Sequence, residues 1–99
     1  MGSKKEIYRA RLQDVMAEMK FRSRDGSELK NLEDLADALR EMPEETYSHH
    51  VTEQNNDFSN WIRDCIGDST LAKNLAKTTE RNQACQMIED RIVWLKERA

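Results

Sequence analysis

The sequence predicts an all-α protein, a single compact domain of five or six helices in an orthogonal or bundle-like arrangement. Apolar residues recur at spacings of three and four along most of the chain, which is typical of helices that bury one face. Asn, Gly and Pro interrupt this pattern where helices usually begin and end. The length of 99 residues suits one domain.

The first predicted helix covers residues 4–20. Residues 1–3 before it are interpreted as a cloning remnant or a disordered start, with Ser3 as a suitable N-cap. Residues 21–99 form the rest of the helical domain. The helix carries one apolar stripe, which consists of Tyr8, Leu12, Val15, Met16 and Met19.

Residues 21–30 break the helical pattern. Asp25 followed by Gly26 is a turn signal, because glycine adopts a positive φ without steric cost. This turn lies between two apolar residues, Phe21 and Leu29. We therefore expect a short hairpin-like loop, too short to make a sheet by itself.

Two helices follow, separated by Pro43. Asn31 is a favoured N-cap for the first, and Asp34 lies in its first turn, where a carboxylate suits the helix dipole. Pro43 ends this helix and begins a short one that extends to about His50. The buried stripe of the longer helix is predicted to be Leu32, Leu35, Ala36, Leu39 and Met42. The inward residues of the shorter helix are predicted to be Tyr47 and Val51.

A helix–helix corner is predicted around Gly67. Asn56 is a suitable cap for a helix over residues 57–66, and Gly67 suits the left-handed position that ends a helix. Asp68 or Ser69 then begins the next helix.

The last helix is predicted over residues 80–98, with Thr78 or Thr79 as its cap. Met87, Arg91 and Trp94 lie on a face next to its apolar stripe. That stripe, nearly a heptad seam, consists of Ala84, Cys85, Ile88, Ile92 and Leu95.

Composition excludes several classes of protein. The formal charge is −3, so non-specific binding to nucleic acid is not expected. No apolar run approaches the ~18 residues that a membrane span needs, and no signal peptide is present. The only two cysteines, Cys65 and Cys85, are too few for a disulfide framework. We therefore expect a cytoplasmic protein that does not insert into membranes.

One stretch is more specific than the rest of the chain. It consists of Asn56-Asp57-Phe58-Ser59-Asn60-Trp61-Ile62, then Gly67-Asp68, then Leu71-Ala72. This stretch resembles the signature of a small all-helical prokaryotic family catalogued as a domain of unknown function. The resemblance extends over about residues 21–95. It implies a helical fold, and it brings no activity, catalytic residue or cofactor.

The same stretch suggests a ligand pocket formed by His50, Asp57 and Trp61. A structural interpretation competes with it, because Asn56 and Asp57 suit the start of a helix, and Phe58 and Trp61 have the spacing of core residues. We expect His50 to be partly buried and hydrogen-bonded to a carboxylate or carbonyl.

Metal binding and catalysis find little support in the sequence. His49, His50, Asp57, Cys65 and Cys85 are residue types that bind zinc, but two adjacent histidines on a helix diverge by ~100°. Each cysteine falls on an apolar stripe, where a buried thiol is unreactive. No phosphate-binding loop or GxSxG motif is present. We expect neither a metal nor a cofactor, and no enzymatic activity.

Charge is distributed unevenly along the chain. Up to Lys30 there are eight cationic and five acidic residues, so this part is +3 and the remainder is −6. Such a basic segment suits an acidic partner or RNA, whereas its structural interpretation is a solvated helix face.

The favoured hypothesis is a non-enzymatic module that binds a protein partner or a second copy of itself through helix faces. Specific interfaces need apolar side chains that remain after the core is filled, above all aromatic residues and Met. The candidate docking residues are Tyr8, Leu12, Met16, Met87 and Trp94.

Overall fold

The computed structural model describes residues 3–99, so the predicted start at residues 1 and 2 lies outside the described part. In that part six α-helices and one minimal hairpin form a single globule, which confirms the predicted all-α class. The helices are α1 (Lys4–Arg11), α2 (Leu32–Glu41), α3 (Glu44–His50), α4 (Asp57–Trp61), α5 (Ser69–Leu75) and α6 (Arg81–Arg98). The strands are β1 (Phe21–Arg22) and β2 (Glu28–Leu29). A 3₁₀ turn covers Ala17–Met19, and a π-helical turn covers Ile62–Ile66.

The first helix is shorter than the sequence predicts. It was expected over residues 4–20, but α1 ends at Arg11. The following segment is held by the rest of the domain instead. The amide of Val15 donates to the carbonyl of Lys30 at 2.7 Å, and the side chain of Asn31 donates to Asp14 at 2.8 Å. These contacts replace the helical hydrogen bonds, so Met16 does not lie on the stripe that carries Tyr8.

The predicted hairpin is present. Phe21 pairs with Leu29 in antiparallel register, and both side chains are buried. Gly26 has φ of 93° at the turn. The Asp25 carboxylate accepts the amide of Ser27 at 2.9 Å, and this hydrogen bond holds the pKa of Asp25 below its ordinary value.

Helices α2 and α3 begin and end close to the predicted positions. The Asn31 side chain accepts the amide of Asp34 at 2.7 Å, as expected of an N-cap. Pro43 is the N-cap of α3 rather than its first residue. Arg81 caps the C-terminus of α2, since its guanidinium donates to the carbonyls of Leu39 and Arg40 at 2.6 and 3.1 Å.

The corner between α4 and α5 is also as predicted. Helix α4 continues into the π-helical turn, and Gly67 follows in the left-handed conformation with φ of 85°. Its amide donates to the carbonyl of Ile62 at 2.8 Å, which closes the wide last turn. Asp68 caps α5, because its side chain accepts the amide of Leu71 at 3.1 Å.

Helix α6 begins one residue later than predicted, and neither threonine is its N-cap. The N-cap is Glu80, whose side chain makes no capping hydrogen bond. Thr78 supports this start from two residues upstream. Its hydroxyl accepts the amide of Glu80 at 3.1 Å and bonds to the side chain of Gln83.

The core lies between α2 and α6, and buried residues of α4 and α5 also belong to it. All the predicted stripe residues of α2 and α6 are buried. An aromatic cluster fills the space between the hairpin, α3 and α4; its members are Phe21, Tyr47, His50, Phe58 and Trp61.

Candidate functional site

His50 lies between the hairpin and α4, with both ring nitrogens bonded to the protein. Nε2 accepts the backbone amide of Arg24 at 3.0 Å, and Nδ1 lies 3.0 Å from a carboxylate oxygen of Asp57. Because the amide can only donate, Nε2 carries no proton, and Nδ1–H donates to Asp57. The buried ring is therefore neutral and holds the turn of the hairpin against α4, as a hydrogen-bonded structural histidine would.

Trp61, the third member of the predicted ligand pocket, also has its polar atom occupied. Its Nε1–H donates to the carbonyl of Met19 at 2.7 Å, and the side chain is 7% exposed. The ring packs edge-on against Phe21, with 6.0 Å between centroids. The side chain thus ties the 3₁₀ turn to α4.

Two further polar residues of the 56–72 stretch join α4 to α5. The Asn56 side chain accepts the amide of Ser59 at 3.0 Å and donates to the carbonyl of Leu75 at 3.3 Å. The hydroxyl of Ser59 donates to the carbonyl of Ala72 at 2.6 Å. The Asn56 side chain caps the start of α4, and both side chains add a second hydrogen bond to carbonyls in the last turn of α5, which also accept the amides of Ala76 and Thr78. The capping role predicted for Asn56 is confirmed.

The cysteines and histidines do not assemble into a metal centre. Among residues 3–99, no three His, Cys, Asp or Glu side chains are grouped so that they would hold a metal ion. Burial raises the pKa of both thiols, and Asp64 adds to the effect at Cys65, as Glu89 does at Cys85. Both thiols are therefore less reactive than a free cysteine.

Two of the predicted docking residues meet at the contact between α1 and α6. The rings of Tyr8 and Trp94 pack edge to face with centroids 5.0 Å apart. The guanidinium carbons of Arg91 and Arg98 lie 4.2 and 4.1 Å from the centre of the Trp94 ring. The aromatic residue thus has cation–π contacts along its own helix and an aromatic contact to α1.

Trp94 and Met87 also line an open groove between α5 and α6. Its volume is about 280 Å³, and its other lining residues are Leu71, Asn74, Asp90 and Arg91. Of the remaining predicted docking residues, Leu12 is half-buried against the core. Met16 is 65% exposed and precedes the 3₁₀ turn.

A charged cluster next to this groove was not found from the sequence. Asp68 is completely buried, and its carboxylate accepts two hydrogen bonds from Arg91 at 2.7 and 3.0 Å. Arg11 approaches the same carboxylate at 3.8 Å. Pairing of this kind is what a buried charge requires. The sequence indicated Asp68 only as a residue at the start of a helix. It gave no sign that the distant Arg11 and Arg91 would lie against this carboxylate.

These contacts define a small helical domain in which the polar residues of the 56–72 stretch cap and connect helices. The chain belongs to DUF5752, a family of unknown function, whose family model matches residues 13–96. No curated protein and no solved structure matches this chain. In the described residues, no helix is long and apolar enough to cross a membrane.

Proposed function

We propose that the protein is a non-enzymatic interaction module that docks a partner protein through the surface formed by α1, the segment that follows it and α6. The candidate docking residues are Tyr8, Leu12, Met16, Met87 and Trp94. The observation that carries the proposal is that α1 lies at the surface of the domain, where Tyr8 packs against the core and stays partly exposed. No residue of α1 is buried, and the family match begins at residue 13, just beyond its end.

The hydrogen bonds that join residues 3–20 to the rest of the domain also lie after α1. They begin at Asp14 and Val15 and end at Met19. Asp68 keeps Arg91 and the amide of Leu71 as partners even without Arg11. The domain therefore does not depend on α1 for the satisfaction of its buried charge.

Exposed apolar side chains on α1, on α6 and in the segment after α1 favour docking over a purely structural role. The exposed large apolar side chains include Ile7 on α1 and Val93 on α6, at 44% and 57%. Met16 and Met19 are exposed in the connecting segment. Methionine is enriched at protein interfaces because its flexible side chain adapts to different partners.

The cellular setting belongs to the same proposal. The two thiols without disulfide bonds suit a reducing compartment, which supports a cytoplasmic location. We further propose that residues 56–72 are the signature of the family and that its origin is prokaryotic, as the resemblance of this stretch implies.

The experiment is co-purification of the tagged full chain from cells that naturally express it, followed by quantitative mass spectrometry. We expect one companion protein in near-stoichiometric amount, and we expect Trp94→Ala to lose it. Glu97→Ala is the matched control, because it changes an exposed, charged residue of the same helix that does not line the groove. Sedimentation equilibrium of the purified chain tests self-association in parallel.

Two results would contradict the proposal. The first is a monomeric chain that retains no stoichiometric companion. The second is a companion retained equally by wild-type and Trp94→Ala chains, which would place the docking surface elsewhere.

A further inference from the structure

We infer that the partner protein presents an acidic segment with a large apolar side chain, and that this segment binds across Trp94 where α1 packs on α6. The inference rests on the proposed function and names the class of partner. Helix α1 stays in its place in the bound state, because it supplies the excess of positive charge. Three features support this occupant: the charge of α1, the arginine at the end of α6 and the groove beside Trp94.

Helix α1 is strongly basic. Residues 4–11 carry four cations and one carboxylate, hence +3, whereas the rest of the chain carries −6. Among the described residues, Lys4 and Lys5 have no ion-pair partner. Both lie one turn before Tyr8 on the same side of the helix, whereas Glu6 lies on a different face. Positive charge without a counter-charge therefore lies next to the ring of Tyr8.

The packing of α1 on α6 carries these lysines toward the end of α6. Tyr8 packs against Trp94. One turn further along α1, Arg11 approaches the buried carboxylate that Arg91 binds, and Arg91 precedes Trp94 by about one turn in α6. The two helices therefore run in opposite directions at their contact. The start of α1 thus lies toward the end of α6 that carries Arg98.

The side chain of Arg98 is held against Trp94 and keeps donors for a partner. Its guanidinium carbon lies 4.1 Å from the centre of the indole ring, and Nη1 donates to the carbonyl of Trp94 at 3.0 Å. Arg98 makes no ion pair with the described residues, so its other N–H groups can donate to a carboxylate. Because the ring already orders this side chain, binding costs little of its conformational entropy. Arg91 differs, since its guanidinium is bound to Asp68.

The groove between α5 and α6 has room for the apolar side chain. Its volume is about 280 Å³, and Leu71 and Met87 line it together with the Trp94 ring. An apolar anchor surrounded by polar and charged contacts is the usual anatomy of a specific interface. A segment that combines carboxylates with one large apolar residue therefore suits this surface.

Two carboxylates on the same part of α6 favour a protein segment over a nucleic acid. Asp90 lines the groove, and Glu97 lies three residues from Trp94. A continuous row of phosphates would approach both carboxylates and be repelled. An acidic peptide can instead place its few carboxylates at Arg98 and at the lysines of α1.

The test begins with random peptides of about twelve residues displayed on phage and selected on the immobilised full chain. Phage that also bind the Trp94→Ala chain are removed, so that the retained peptides depend on this surface. They should contain more Asp and Glu than the unselected library, together with a large apolar residue. The most enriched peptide is synthesised with a fluorescent label, and its Kd is measured by fluorescence anisotropy. The Kd should rise when the NaCl concentration is raised.

Single-charge variants then test the local contact. Arg98→Gln should weaken binding of the peptide roughly three- to tenfold, because it removes an exposed guanidinium beside Trp94. Arg22→Gln is the matched control, since it removes the same charge from the exposed hairpin, and it should change the Kd by less than about twofold. Glu97→Gln removes a carboxylate near Trp94, so it should leave the affinity unchanged or raise it.

Several outcomes would overturn the inference and leave the proposed function to the co-purification experiment. Retained peptides no richer in carboxylates than the library would show binding that charge does not select, and a selection without retained peptides would show no such site. Equal weakening by Arg98→Gln and Arg22→Gln would show long-range attraction without a local contact. Self-association that Trp94→Ala abolishes would make a second copy the occupant. An oligouridylate that binds this surface more tightly than the peptide would contradict the proposed function as well.

Discussion

Replacing Trp61 tests whether the 56–72 stretch is structural. The side chain is nearly buried, packs against Phe21 and donates a 2.7 Å hydrogen bond to the carbonyl of Met19. Trp61→Ala removes all of these contacts and leaves a cavity, so we expect a loss of about 3–5 kcal/mol in the free energy of unfolding. A domain of this size has about 5–15 kcal/mol in total, so the variant would be marginal.

A second variant separates the ring from the hydrogen bond. Trp61→Phe keeps an aromatic ring in the cluster but removes the donor to Met19, for which we expect a loss of about 1–2 kcal/mol. Trp94→Ala is the control, because that ring is only partly buried and should cost less than Trp61→Ala. Urea titration followed by far-UV circular dichroism measures all three.

The structure requires Trp61→Ala to lower the free energy of unfolding more than Trp94→Ala does. If Trp61→Ala and Trp94→Ala cost the same, or if Trp61→Ala costs less than about 1 kcal/mol, the ring is not a core residue. The alternative of a ligand pocket around His50, Asp57 and Trp61 would then gain support.

Three further predictions concern single side chains. Gly67→Ala should lower stability by about 1–2 kcal/mol through backbone strain alone, since no atom lies within 4 Å of the added Cβ; an unchanged urea midpoint would contradict the left-handed turn. Asn56→Ala should cost about 0.5–2 kcal/mol, and Asn60→Ala, which removes two exposed hydrogen bonds, is the control that should cost less. Burial raises the pKa of Tyr47 from 10.0 to about 12, with Glu44 adding to the effect. Because the unfolded chain ionises first, the stability of wild type relative to Tyr47→Phe should be unchanged below pH 10 and fall by up to about 3 kcal/mol as pH rises to about 12; parallel urea midpoints of the two chains would refute it. At neutral pH Tyr47→Phe should be neutral or stabilising, because the buried hydroxyl has no hydrogen-bond partner among residues 3–99.

The elements that the sequence predicted well are those with local causes. Asn31, Asn56 and Gly67 act on backbone groups within a few residues, so their identity and spacing were sufficient. The Asp25–Gly26 turn likewise depends on residues that are close to one another in the sequence.

The elements that were missed depend on distant residues. The end of α1 is determined by Lys30 and Asn31, whose hydrogen bonds replace helical ones around Asp14 and Val15. Periodicity alone cannot reveal that competition, because Leu12, Met16 and Met19 continue a helical spacing. The partners of Asp68 could not be found either, since Arg91 is 23 residues away and Arg11 lies on another helix.

The contrasting surroundings of the two indoles equip the chain with a pair of internal optical reporters. Trp61 is buried and hydrogen-bonded, so its emission should be blue-shifted and shielded from acrylamide until the domain unfolds. Trp94 is partly exposed, packs against Tyr8 and has two guanidinium groups over its ring, so its quenching should report on the contact between α1 and α6. A Trp61→Phe chain would isolate the second signal, so that the core and the contact between α1 and α6 could be followed separately without any attached dye.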